Sequence, residues 1–290
     1  MYEEASNSTI LMLLNTAVYP FIAALIVSFI AGKLTRASSY LGYLGGFIVG
    51  LGLIHSGLSF PPKQAIDNYT VSALIGIISI LLLTLVKQSL PKNALKIVLF
   101  GFSFYFLLNP VLRHSGAIIS LSWAIVSALI VMLYLFLSEQ SLIQKMDSNK
   151  QRSLSPHLLI IGLMVVAGSA APVISIGGSL LIGQLLGAFG AATFGYLIIG
   201  YITNKTVNYA TIPAILILGG LITQSHVLAD IPLKVMLMIT ASIFLTPIAI
   251  LLKGKTSNKQ SIVIILSQIV VSALVSGLSL WLVWPESSLY

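Results

Sequence analysis

Between Ile10 and Trp284 the chain is a succession of apolar stretches, each 18–25 residues long, separated by short polar connectors. No other feature constrains the fold as much. We read the stretches at 10–32, 40–57, 70–87, 94–111, 116–138, 157–175, 178–202, 208–225, 232–252 and 261–284. A membrane-spanning helix needs about 20 mainly apolar residues, so each stretch is read as one crossing. Charged residues make up 8% of the chain, whereas soluble domains carry about 25%. A water-exposed surface cannot be built from so few charges, so lipid must solvate most of this chain. The expected fold is all-α: a polytopic integral membrane helical bundle of about ten transmembrane helices in a single transmembrane domain over residues 1–290. Spans one to five cover 10–138, a cytoplasmic connector covers 139–156, and the last five spans cover 157–284.

The basic residues orient these spans. One alternate set of connectors holds Lys33, Arg36, Lys87, Lys92, Lys96, Lys145, Lys150, Arg152, Lys205, Lys253, Lys255 and Lys259. The other set holds only Lys63, Arg113 and Lys234. The positive-inside rule puts the first set in the cytoplasm and both termini outside. A bacterial-type inner (plasma) membrane is the expected location. The net charge of +8 is thereby explained by topology, and no nucleic acid partner is expected. The start of the chain, "MYEEASNST", is acidic and lacks the basic region of a signal peptide, so the first span is expected to be retained.

A weak internal similarity lies across the chain. With an offset of 169 residues, Asn15 meets Gln184, Arg36 meets Lys205, Tyr40 meets Tyr209, Gly50 meets Gly219 and Ser56 meets Ser225. With an offset of 166, Lys87 meets Lys253. This suggests a parallel repeat of spans one to four in spans seven to ten, a plan known among transporters.

Asn15 and Gln184 have two readings. Amides inside a bilayer bind helices together, at about 0.6–2 kcal/mol each, or they line a path for a solute. Ser169, Pro172, Gly177 and Gly178 share both readings, because Pro172 and the glycine pair are expected to break the 157–202 stretch. Gly46 and Gly50, like Gly183 and Gly187, have the small-xxx-small spacing that lets helix backbones approach, so close packing is their expected use. Tyr19-Pro20 and Thr246-Pro247 are candidate kinks. Trp281, Trp284, Tyr40, Tyr43, Tyr201 and Tyr209 fall near span ends and are expected to anchor at the interface.

Other chemistries are excluded or disfavoured by what the spans lack. There is no cysteine, hence no disulfide, thiolate ligand or cysteine nucleophile. The seven acids, Glu3, Glu4, Asp67, Glu139, Asp147, Asp230 and Glu286, fall in tails, connectors or span ends. Without a mid-membrane carboxylate, a proton- or sodium-coupled carrier is disfavoured. His55, His114 and His226 with Asp67 and Asp230 are predicted on one face but lack ligand spacing, so no metal site is expected. His55 and Ser59 fall at a span end, too shallow for an intramembrane serine protease. No connector carries a phosphate-binding glycine loop. No enzyme activity, catalytic residue or cofactor is expected. Two functions remain: a permease for a small neutral or amphipathic solute, or a non-catalytic scaffolding subunit of a larger membrane complex. The expected partners are the lipid bilayer and other membrane subunits or a second copy of the chain.

Overall fold

A computed structural model describes residues 2–35, 38–86, 89–143, 154–203, 209–253 and 258–284. Every regular element among these residues is helical. Among the described residues nine helices are long and apolar enough to cross a membrane, and together they suggest a multi-pass membrane protein. The basic residues Arg36, Lys87, Lys145, Lys150, Arg152, Lys205 and Lys255, and most of the 139–156 connector, lie outside the described residues.

The first span joins α1 (Tyr2–Leu13) to α2 (Tyr19–Leu34) through a π-helical turn at Leu14–Val18. That wide turn lies just before Pro20, whose ring and missing N–H disturb the backbone one turn earlier. The expected second span is α3 (Leu41–Ile54), only 14 residues long. It rises about 21 Å, short of the roughly 30 Å of a hydrocarbon core. Five of its residues are glycines (Gly42, Gly45, Gly46, Gly50 and Gly52), which weaken a helix. Its sequence ends on "HSG", where the chain turns into a loop.

Then follow α4 (Asn68–Leu85), α5 (Ser89–Leu112), α6 (Ala117–Ile143), α7 (Leu158–Gly177), α8 (Leu180–Thr203) and α9 (Thr211–Ala229). The tight connection from α5 to α6 is made at Gly116, whose φ of 109° is open to glycine and strained for other residues. The expected ninth span is broken into α10 (Leu233–Ile243) and α11 (Leu245–Lys253), and α12 (Asn258–Val283) is last. The 157–202 stretch forms two separate helices. The break falls at the expected Gly177-Gly178 pair, whereas α7 runs unbroken through Pro172, which was also expected to mark it.

Helix α9 is the hub. In its spanning window 72% of residues are buried, against 11% for the first span and 22% for α12, so those two lie at the edges of the bundle. Around α9 stand α4, α5, α6, α7, α8 and α10. On one side α2, α3 and α8 form a tight trio, and α7 joins α8 to α12. Tyr40 and Tyr43, expected at the interface, are instead buried, and the Tyr43 hydroxyl donates to the Ala210 carbonyl at 2.6 Å. The carbonyl lies just before α9 and the helices converge there, so the ring is enclosed. Trp281 and Trp284 are exposed.

Candidate functional site

The site begins with how α9 is held. Gln224 on α9 is fully buried, and each end of its amide has a partner. Its Oε1 accepts from the Tyr69 hydroxyl of α4 at 2.8 Å, and its Nε2 donates to the Leu107 carbonyl of α5 at 2.9 Å. A buried amide without partners is costly in apolar surroundings, so one side chain ties three helices at a fixed depth. Nearby, the Ser72 and Ser103 hydroxyls share a hydrogen bond of 2.7 Å between α4 and α5.

A second buried amide holds the break between α10 and α11. Gln268 of α12 accepts from the Thr246 hydroxyl at 2.7 Å. Its Nε2 donates to the Ser242 carbonyl at 3.1 Å and lies 2.8 Å from the Ser272 hydroxyl. Interrupted helices expose carbonyls that must find partners away from water. Pro247 removes one N–H from this turn, and Gln268 supplies an amide to it.

Because α9 is pinned to α4 and α5 while α10 and α11 are pinned to α12, a space remains between α6 and α10. It is a cleft of about 180 Å³. Ile215, Gly219, Ile222 and Thr223 of α9 form its floor. Trp123, Val126, Ser127, Ile130 and Tyr134 of α6 form one wall, and Leu233, Met236, Leu237 and Thr240 of α10 the other. Val126, Leu233 and Leu237 are exposed at its rim. At one end the Tyr134 and Phe244 rings meet edge to face, with centroids 6.0 Å apart. Towards the other end the Trp123 ring lies 5.4 Å from His226. His226 Nδ1 is 2.6 Å from the Ile231 carbonyl, which only accepts, so this nitrogen carries the proton. Among the described residues, no Lys, Arg, His, Asp or Glu lines the cleft. The lining side chains that carry polar groups are Trp123, with its indole N–H, and the hydroxyl-bearing Ser127, Thr223, Thr240 and Tyr134.

A separate polar cluster lies in the loop between α3 and α4. Asp67 is fully buried there. Its Oδ2 accepts from the backbone N–H groups of Lys63 and Gln64, both at 3.0 Å, and from the Ser59 hydroxyl at 2.9 Å. Burial alone raises a carboxyl pKa, but these hydrogen bonds outweigh it and hold Asp67 below the usual carboxylate range. His55 Nε2 is 3.4 Å from Asp67 Oδ1. Ser59 thus bonds to the carboxylate and not to the imidazole, so this is not the order of a hydrolytic triad.

The residues singled out in the sequence are placed elsewhere. Asn15 and Gln184 are both half-buried, and neither makes a hydrogen bond among the described residues. They lie where the first span meets α8: a Cβ on Gly187 would stand 2.7 Å from Thr16. Gly46 and Gly50 of α3 lie against Pro20, Ala188 and Ala192, and Gly183 lies against Ser175. Gly177 lies against Val283 and Ile231, and Gly178 against the Ala229 carbonyl. Pro172 is inside α7. The Ser169 hydroxyl donates to the Val166 carbonyl at 3.0 Å, and its own carbonyl accepts from Ser276 of α12 at 2.8 Å. None of these residues lines the cleft. Gln224 and Gln268 were the residues that sequence reasoning missed. The signal was present, since both are amides inside apolar spans, like Gln184. No family model, curated protein or solved structure matches the chain.

Proposed function

We propose that this chain is a permease for a small neutral or amphipathic solute, and that the cleft between α6 and α10 holds the solute. The cleft itself carries the reading: it is apolar, it has a few hydroxyls, and no charged side chain among the described residues lines it. Ligand sites are typically concave and mostly apolar, with a few placed polar groups. An ion would lose its hydration in such a space with nothing to replace it, whereas a neutral or amphipathic molecule would not.

The same proposal places ten crossings in a bacterial-type inner (plasma) membrane, with α3 as a short crossing and both termini outside. The charge asymmetry of the connectors supports this orientation. The proposal does not rest on a parallel repeat, which would have α8 pair with α9 as α2 pairs with α3. Helix α8 pairs chiefly with α7, α3 and α2. Nor does it rest on a pathway through Asn15 and Gln184.

Native mass spectrometry of protein extracted gently from its own membrane tests the reading. We expect a monomer or homodimer that retains a small uncharged molecule, and a Thr240→Phe variant, folded but with the cleft filled, that does not. Recovery in fixed ratio with other membrane proteins, with no bound molecule in either form, would favour the scaffolding subunit instead.

A further inference from the structure

The hydroxyls of the cleft are not equivalent, and their difference points to a ligand class. Thr223 donates to the Gly219 carbonyl at 2.8 Å, and Thr240 donates to the Met236 carbonyl at 2.8 Å. Each bond runs one turn back along its own helix and uses the hydroxyl's single proton. Both threonines therefore offer the cleft only acceptor lone pairs. Ser127 differs. It makes no bond to a carbonyl of its own helix among the described residues, and its nearest polar partner is Thr223 Oγ1 at 3.4 Å. Hydroxyl hydrogen bonds are normally 2.5–3.0 Å long, so this contact is stretched. Since the Thr223 proton is already on Gly219, the proton in the stretched contact is that of Ser127. Ser127 is 5% exposed, so water does not readily satisfy it.

The cleft thus holds two under-used donors: Tyr134, whose hydroxyl is 3.5 Å from the Leu159 carbonyl at the Phe244 end, and Ser127, which lies beside the Thr223 acceptor. A ligand hydroxyl complements this set, accepting from Ser127 while donating to Thr223 or Thr240. The volume of about 180 Å³ sets the size of the apolar body. A buried apolar cavity of about 150 Å³ takes benzene, so a single ring or a short branched chain fits here. We infer that the cleft binds an uncharged, ring-sized compound bearing one hydroxyl, a phenol or alicyclic alcohol, with Ser127 as the residue that selects the hydroxyl. This rests on the proposal that the cleft is the solute site.

The test is ¹⁹F NMR of 4-fluorophenol and of fluorobenzene with the whole protein in nanodiscs, with empty nanodiscs subtracting the lipid contribution. One net hydrogen bond corresponds to about fivefold in affinity. We expect 4-fluorophenol to bind about fivefold more tightly than fluorobenzene. Ser127→Ala should erase that preference and leave fluorobenzene binding unchanged, while Ser127→Thr should retain it. Thr240→Phe should expel both compounds. Equal binding of the two compounds to the native protein would overturn the inference, as would a preference that survives Ser127→Ala. In those cases loss of both compounds in Thr240→Phe would leave the cleft standing as a solute site. Binding of neither compound to the native protein, or binding that Thr240→Phe leaves intact, would overturn the inference together with the cleft reading.

Discussion

Two faces of the same bundle are packed in opposite ways. In the α2–α3–α8 trio, small residues bring the backbones together, and Tyr43 and Phe47 of α3 interlock edge to face with Phe189 and Tyr196 of α8. A Cβ on Gly46 would fall against the Pro20 carbonyl, 2.8 Å from the Ala24 Cβ and 2.9 Å from the Ala192 Cβ. Around α6, α9 and α10, contact is made by Trp123, Ile222, Met236 and Phe244, which hold the helices apart and leave a cleft. Lipid tails are as apolar as leucine, so helices in a bilayer gain little from hydrophobic burial alone. Small residues bring backbones into contact and gain dispersion attraction. Bulky residues leave the helices spaced unless their shapes interlock. The trio is therefore built as the fixed part, and the cleft side has room for a guest.

The same substitution made on each face gives the largest expected effect. Gly46→Leu has no space at all, and we expect no folded protein from it. Gly46→Ala overpacks the trio, at a cost of about 1–3 kcal/mol that outweighs the roughly 1 kcal/mol by which alanine favours a helix. Gly219→Ala on the cleft side meets only the end of the Phe104 ring at 3.2 Å and Val131 at 3.6 Å. These side chains border the cleft and are able to shift into it. We expect the midpoint of thermal unfolding to fall for Gly46→Ala and to hold or rise for Gly219→Ala. Equal losses at the two sites would erase the distinction between the faces.

Next in size is the tie that holds α9, the floor of the cleft, to α4 and α5. Gln224→Leu would strand the buried Tyr69 hydroxyl, at about 1–3 kcal/mol for the group left unpaired, and would remove the second bond to the Leu107 carbonyl. Gln224→Glu, if ionised, keeps an acceptor for Tyr69 but loses the donor to Leu107, and burial works against its charge. We expect both to lower the unfolding midpoint. Hydrogen exchange should show added opening in α9 and α5, with α2 and α3 unchanged. Opening spread evenly over all helices would mean that Gln224 does not divide the bundle in this way.

The helices were legible in the sequence because length and hydropathy are local properties, and each expected span has its helix. The short α3 was less legible: the expected span reached residue 57, but "HSG" and the glycines end the helix at Ile54. The cleft was not legible. Hydropathy is the same for a helix pressed against its neighbour and for one held a few ångströms away, and that spacing depends on which residues three helices bring together. The attention given to Asn15 and Gln184 has a related cause. An amide in an apolar run reads the same whether it is half-buried, as those are, or clamped by partners, as Gln224 and Gln268 are. Pro247 next to a broken span was the clue that some side chain must serve the freed carbonyls. It pointed to no residue, because Gln268 lies on the following helix.

The smallest expected effect concerns the loop that joins the two faces, from α3 of the trio to α4 beside α9. Asp67 gathers this loop through Lys63, Gln64 and Ser59. Its carboxyl is held below the ordinary range in the folded loop, whereas in an unfolded loop it titrates at about 3.9. The folded loop therefore binds fewer protons near that pH. Its stabilisation is complete above the unfolded value and is lost as pH falls through the depressed folded value. We expect cleavage between His55 and Asp67 by an acid-stable protease to stay slow at pH 5 and to rise only well below pH 4. Ser59→Ala removes one of the bonds that lower the pKa, so it should shift the onset of cleavage to higher pH by a fraction of a unit. The trio and the cleft should keep their exchange protection throughout, because their contacts are uncharged. If acid loosened α3 and α9 together with the loop, the loop would be a shared support of both faces and not a joint between independent ones.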